Sequence, residues 1–210
     1  MTTLMLIRHG ETDWNRESVF RGQADIALNG RGLKQAWLLA KYLGNAHLTA
    51  IYSSPLKRAL KTAEIVANYH GTKVEEAVQL TDMNYGVWQG LLQHKVKEQY
   101  SELYDQWLKS PHLVKIPQGE TLQDIRERAY GLILQIAEKH GGVVAVVSHR
   151  VVNKVLICAL LGLDTSHFWN VKLDTCGITT FVYKNGQFVL TKHNDTSFIK
   201  QVGNLKEDDF

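Results

Sequence analysis

Short apolar runs and helical stripes take turns along the chain. The first run, "LMLIR", stops at Arg8, His9 and Gly10; an apolar stretch bounded by glycine and polar residues predicts a buried strand. A glycine-punctuated loop, "RGQADIALNGRG", leads into "LKQAWLLAKYL", where Leu33, Ala36, Leu39, Ala40 and Leu43 recur at helical spacing and end at Gly44. "LTAIYSS" predicts a second strand, closed by Ser53, Ser54 and Pro55. "LKRALKTAEIVANYHG" predicts a helix with proline at its start and glycine at its end. Residues 76–118 are irregular around "MNYGVWQG" and then helical through "VKEQYSELYDQWLK", which reads as a lid-like insertion over one end of the sheet. From Thr121 to His140 a stripe of Leu122, Ile125, Ala129, Leu132, Ile133 and Ile136 predicts a long amphipathic helix. "GGVVAVVSH" is continuously apolar, as a central strand buried on both faces should be, and "VVNKVLICALLGL" follows as a helix. Asn185-Gly186 lies between two alternating segments, the mark of a two-residue hairpin turn.

This strand, helix, strand order, with no internal repeat, predicts an α/β fold. The expected form is a three-layer α/β/α sandwich on a mostly parallel sheet, in a single domain over residues 1–210. Composition agrees: 210 residues with 44% hydrophobic content can bury one sizeable core. The balance of 24 basic and 21 acidic residues leaves +3 without any long run of one sign, so neither nucleic acid nor a membrane surface is expected as partner. A small anion stays open as a partner. Two cysteines make no disulfide framework, and Cys158 in "KVLICALLGL" reads as core. No apolar run reaches membrane-spanning length and "MTTLMLIRHG" is too short for a signal peptide, so the chain reads as cytoplasmic.

Three predicted parallel strands end in reactive or small polar residues: His9, then Ser53 and Ser54, then His149. In an open α/β sheet that edge is where ligands bind. Arg8 and Arg58 add guanidinium forks that match phosphate or carboxylate oxygens, and Arg58 falls in the first turn of its helix, where backbone amides also favour an anion.

"RHGETDWN", "SSPLKRALKTA" and "VVSHR", in that order and each at a strand end, closely resemble the histidine phosphatase superfamily, also called the phosphoglycerate mutase-like family. The resemblance runs over nearly the whole chain. It implies a phosphoglycerate mutase-like fold and His9 as the acceptor of a phosphoryl group, with Arg8, Asn15, Arg58 and His149 holding that group. The chemistry suits these residue types, because phosphoryl transfer is mostly positioning plus charge neutralisation, and two arginines with a second imidazole provide both. No metal and no cofactor are expected. The backbone or a nearby acid such as Glu11 would fix the His9 tautomer.

The family usually carries a glutamate proton donor shortly before a "G-x-W-E-G" motif. Here "LTDMNYGVWQG" has Asp82 at the donor position, Asn84 for a common aspartate and Gln89 for the motif glutamate. Asp82 is therefore the expected general acid, one methylene shorter. Arg21, Gly22 and Gln23 are expected to contact substrate, whereas Thr121 with Asp124 reads as a helix cap. After His149, Arg150 and Val151 stand where the family often has two glycines, and the role of the Arg150 side chain is open. The expected function is hydrolysis of a small phosphorylated metabolite, with α-ribazole phosphate, phosphoserine or a broad set of monoesters as substrates. A phosphoglycerate mutase is the alternative within the fold, and a non-catalytic phosphometabolite-binding or interaction module the alternative outside enzymes. An apolar edge or the C-terminal hairpin would support a homodimer.

Overall fold

A computed structural model describes residues 1–199; residues 200–210 of the expected domain lie outside the described residues. Six strands form one sheet in the order β3-β2-β4-β1-β5-β6. They are β1 (Thr2–Arg8), β2 (Leu48–Ser53), β3 (Val74–Glu76), β4 (Gly142–Ser148), β5 (Ile178–Lys184) and β6 (Gln187–Asp195). β4 pairs in parallel with β1 and β2, and β3 in parallel with β2, so the C-terminal ends of these four strands share one edge. β5 and β6 complete the sheet antiparallel. β4 is the central strand that its unbroken apolar run implies, with Val144 to Val147 fully buried.

The helices are α1 (Asp13–Arg16), α2 (Gly30–Tyr42), α3 (Lys57–His70), α4 (Gln93–Gln99), α5 (Ser101–Lys109), α6 (Leu122–Lys139) and α7 (Arg150–Leu160). Alternation along the strands divides the core into two faces. Leu4, Leu6, Val144 and Val146 pack beneath α6 and α7, while Ile7, Ile51, Ala145 and Val147 pack beneath α2 and α3. The result is the α/β/α sandwich. Asn185 and Gly186, with φ of 52° and 77°, make the hairpin between β5 and β6.

Four details depart from the sequence reading. Leu33 is 38% exposed, and its place in the α2 stripe is taken by Gln35, buried because its amide accepts from the Glu11 N–H and donates to Thr175. Leu132 of the α6 stripe is only partly buried, and Ala137 takes a core position instead. The stretch expected as one helix over 96–109 is two, broken at Tyr100 with φ −134° and ψ 45°. Finally, residues 76–118 are rooted in the main core, since Trp88, Val96, Tyr104, Trp107, Val114 and Ile116 join the cluster beneath α6 and α7. Trp88 meets Tyr104 and Trp107 at ring separations of 6.3 Å.

Candidate active site

His9 leaves β1 with its backbone N–H donating to Ser148 O at 2.9 Å, so it stands directly beside the end of β4. Its Nδ1 is 2.6 Å from the carbonyl oxygen of Gly10. A carbonyl only accepts, so Nδ1 carries the proton and Nε2 keeps its lone pair. The turn that supplies this carbonyl packs without clearance: a Cβ on Gly10 would stand 2.7 Å from Gly32 O. Glu11 does not orient the ring. Its carboxylate accepts from Asn29 at 2.9 Å and pairs with Arg31 at 3.3 Å, tying the loop to the start of α2.

His149 caps α7 at the end of β4, and its ring centroid lies 5.2 Å from that of His9. Its Nε2 is 2.8 Å from Ser54 Oγ, so the serine at the end of β2 holds the second imidazole. Ser54 was legible as a strand-end residue but not as this support. Burial, then Arg58, lowers the pKa of both histidines well below 6.5, so both are neutral at pH 7.

Arg8 and Arg58 are fully buried and held by backbone oxygens. Arg8 Nη1 donates to Leu173 O at 2.7 Å; Arg58 donates to Ala24 O at 2.8 Å and Gly22 O at 2.7 Å. Arg58 Nη2 also meets Asp82 Oδ2 at 3.0 Å, and that oxygen is 3.7 Å from His149 Nδ1. Asp82 Oδ1 accepts from the Met83 N–H at 2.9 Å. The arrangement thus gathers His9, His149, Arg8, Arg58 and Asp82 at one sheet edge.

A cleft opens beside this group, lined in part by Asn15, Arg21, Gly22, Asp82, Tyr85 and Arg150. Asn15 spends its Oδ1 on Thr12 at the start of α1, while its buried Nδ2 has no hydrogen-bond partner among the described residues. The same holds for Arg21 Nε, Arg58 Nε and His149 Nδ1. The three N–H donors among these, on Asn15, Arg21 and Arg58, favour an anion, because a desolvated donor left unpaired costs about 1–3 kcal/mol. Gly22 has φ of +50°, and a Cβ there would meet Met83 O at 2.8 Å. Gln23 is outside the cleft lining: it is exposed, accepts no role in the wall, and binds Gln89 Oε1 and Asp82 O through its N–H and amide at 2.9 and 3.3 Å. Gln89 therefore joins the 21–24 loop to the Asp82 loop.

Two residues that the sequence did not single out hold Asp82 in place. Arg128 donates to Asp82 O at 3.3 Å and Gln79 O at 2.6 Å and pairs with Glu120 at 2.8 Å; Glu120 in turn accepts from the Asn84 N–H at 2.8 Å. Thr121 and Asp124 form the capping box of α6, as their spacing implied.

The histidine phosphatase superfamily (branch 1) matches the chain over residues 4–196, and the chain belongs to it. Phosphoserine phosphatase 1 of Hydrogenobacter thermophilus is 36% identical over 197 residues, covering 93% of each chain. Among solved structures, Bacillus stearothermophilus YhfR superposes with a TM-score of 0.91 at 32% identity, over 95% of this chain and 100% of that one. A phosphoserine phosphatase of Entamoeba histolytica, solved in complex with phosphoserine, gives 0.85 at 30% identity over 95% and 100%. The chain is a phosphoric monoester hydrolase of the histidine phosphatase class.

Proposed function

We propose that the protein hydrolyses small phosphomonoesters through a phosphohistidine on His9. The observation that carries this is the His9 ring itself, protonated at Nδ1 by its bond to Gly10 O and neutral, with Nε2 left to attack amid Arg8, Arg58 and His149. Nε2 forms a bond to phosphorus as the ester P–O bond breaks, and Asp82 gives a proton to the leaving alkoxide. Asp82, now a carboxylate, then takes a proton from the water that attacks the phosphohistidine, releasing inorganic phosphate and restoring His9. Arg8, Arg58, Asn15 and His149 hold the equatorial oxygens, whose charge is spread in the transition state. Asp82 suits its role because it reaches both Arg58 and the cleft. Arg21 and Gly22 contact the leaving group; Gln23 acts from behind, through its bond to Asp82 O.

Phosphoserine, the substrate in the names of two of the relatives above, is the first compound to test, followed by α-ribazole phosphate and sugar phosphates. Incubation with 3-phosphoglycerate separates hydrolysis from the mutase alternative: phosphate release faster than isomerisation is expected, and the reverse would assign a mutase. Acid-labile, base-stable phosphate on His9 should be trapped after a rapid quench. With two guanidiniums and an imidazole to neutralise the phosphoryl oxygens, turnover is expected to survive exhaustive chelation. Inactivation by EDTA with rescue by one divalent ion would overturn that part.

We extend the proposal to a cytoplasmic setting, supported by two buried free thiols among the described residues, Cys158 and Cys176. No helix among these residues is long and apolar enough to cross a membrane. A homodimer through the outer edge of β6, where Val189 is exposed, completes it and is tested by light scattering.

A further inference from the structure

His9 Nδ1 donates to Gly10 O at 2.6 Å, and that carbonyl belongs to the peptide joining Gly10 to Glu11. The N–H of the same peptide donates to Gln35 Oε1 at 2.8 Å. In a trans peptide the C=O and N–H lie in one plane and point opposite ways, and the described residues contain no cis peptide bond. The His9 ring and the Gln35 amide therefore hold one rigid unit from opposite sides. A backbone N–H only donates, so the Gln35 atom facing it is the oxygen, which leaves Nε2 to donate to Thr175 Oγ1 at 2.9 Å.

Every link of this chain is buried: His9, Glu11, Gln35 and Thr175 are all shielded from solvent. Gln35 stands on the inner face of α2 with Ala36 and Leu39, where a long polar side chain is costly unless both its ends are paired. The start of α2 is fixed against the same turn, since Asn29, its N-cap, donates its N–H to Glu11 O at 3.0 Å. The preceding peptide is held separately, by Thr62 Oγ1, which accepts from the Gly10 N–H at 3.1 Å. Thr175 lies in the loop whose Leu173 O holds Arg8 and whose Cys176 N–H donates to Arg8 O at 3.0 Å. The chain thus ends on the loop that anchors the arginine beside the nucleophile.

We propose that Gln35 is a positioning residue for the nucleophile: anchored on Thr175, it fixes the Gly10–Glu11 peptide so that His9 stays protonated at Nδ1 and aims Nε2 at phosphorus. This rests on the reading of His9 as phosphoryl acceptor and deepens it. Gln35 acts in two ways. It sets the tilt of the peptide plane, and by accepting from the N–H it draws electron density toward Gly10 O, which then accepts more strongly from Nδ1; linked bonds strengthen one another by about 10–30%. No proton moves along the chain. Without the Gln35 oxygen the buried Glu11 N–H is unpaired, and a peptide that turns to find another acceptor carries Gly10 O away from Nδ1. The imidazole is then free to take the Nε2–H form, which has no lone pair on the attacking nitrogen.

The tautomer is read in the free enzyme by nitrogen NMR of histidine-labelled protein, with the His9 signals assigned against His9→Ala. The wild type should show His9 in the Nδ1–H form. Gln35→Met, which keeps the length of the side chain and removes the acceptor, should populate the Nε2–H form and slow phosphorylation of His9 by roughly 10- to 100-fold with KM nearly constant. The loss should be equal for O-phosphoserine and p-nitrophenyl phosphate, because it strikes the nucleophile and not the proton donor. Gln35→Glu keeps an acceptor whether or not its carboxyl is ionised, and should recover most of the rate and the Nδ1–H form. Gln35→Asn, whose amide stops one methylene short, gives the same readouts if Gln35→Met does not fold. A His9 that stays in the Nδ1–H form in these variants, or a change confined to melting temperature, would overturn the positioning role and leave the phosphatase reading intact. So would a loss confined to O-phosphoserine, which would put the effect at Asp82. A wild type that forms no phosphohistidine would instead remove the phosphatase reading and the positioning role with it.

Discussion

The buried group at the strand ends and the cleft beside it are built by different means. In the first, Arg8, Arg58 and His149 are 0% exposed and His9 1%, and each is fixed by a backbone carbonyl or by Ser54. In the second, Arg21 and Arg150 are half-buried and sit on a loop and a helix start. Strand ends and the first turn of α3 therefore hold the groups proposed to meet the phosphoryl oxygens, and more exposed side chains those proposed to meet the leaving group. Within one family this separation lets the chemistry stay while the substrate changes.

Removing the nucleophile is the most drastic way to break the first region. His9→Ala should abolish turnover of every ester and leave no trappable phosphate, while circular dichroism stays that of the wild type. Substantial activity in a folded variant would assign the acceptor elsewhere.

Asp82 belongs to both regions, so changing it should separate them. Asp82→Asn is expected to slow alkyl phosphates by roughly 10²- to 10⁴-fold, the usual worth of a general acid, and p-nitrophenyl phosphate much less, since a good leaving group needs little protonation. An equal loss on both would make Asp82 a loop-positioning residue.

A smaller effect is expected one contact further out. Arg128→Met releases the bonds to Asp82 O and Gln79 O, letting the Asp82 loop drift, and small displacements of a catalytic group already cost rate. We expect kcat on alkyl phosphates to fall about tenfold with KM nearly constant, p-nitrophenyl phosphate to be affected less, and Arg128→Lys to recover part. A change confined to thermal stability would make Arg128 a brace for the fold alone.

The two regions also differ in how readily the sequence disclosed them. Strand ends are marked by composition: an apolar run that stops at Arg8-His9-Gly10, or at Ser148-His149, announces both the strand and the edge, and sheet topology then brings the ends together. Gln35 and Arg128 carry no such mark. Each acts through carbonyls, N–H groups or side chains far away in sequence, Gln35 on Glu11 and Thr175, Arg128 on Gln79 and Asp82, and their polar character reads as solvent-facing until the partner is placed. Gln23 is placed differently from Arg21 and Gly22: they line the cleft, whereas after the left-handed turn at Gly22 it bonds Gln89. The break at Tyr100 escaped for lack of a glycine or proline to mark it.

The smallest effect expected is on stability, and it concerns the two histidines. Both have folded pKa values well below the ordinary 6.5, with burial the leading cause and Arg58 next. Between that depressed value and 6.5 the unfolded chain binds more protons than the folded one, so stability rises with pH across the window. The contribution is fully present above about 6.5 and is lost as the pH falls below it. Depressed acids such as Asp195, whose ordinary value is 3.8, lose theirs only at lower pH. His70 and His193 are also lowered, so the test subtracts them by comparison: the melting temperature of His149→Gln should fall less than that of the wild type between pH 7.5 and 5. Inorganic phosphate should oppose the wild-type loss, because an anion beside the rings favours their protonated forms and binds more tightly as they take up protons. Arg21 in the cleft adds no such linkage, since at about 9 it stays charged throughout this range. A wild type and variant with identical pH slopes, or a phosphate effect that does not grow toward acid, would remove the strand-end histidines as its source.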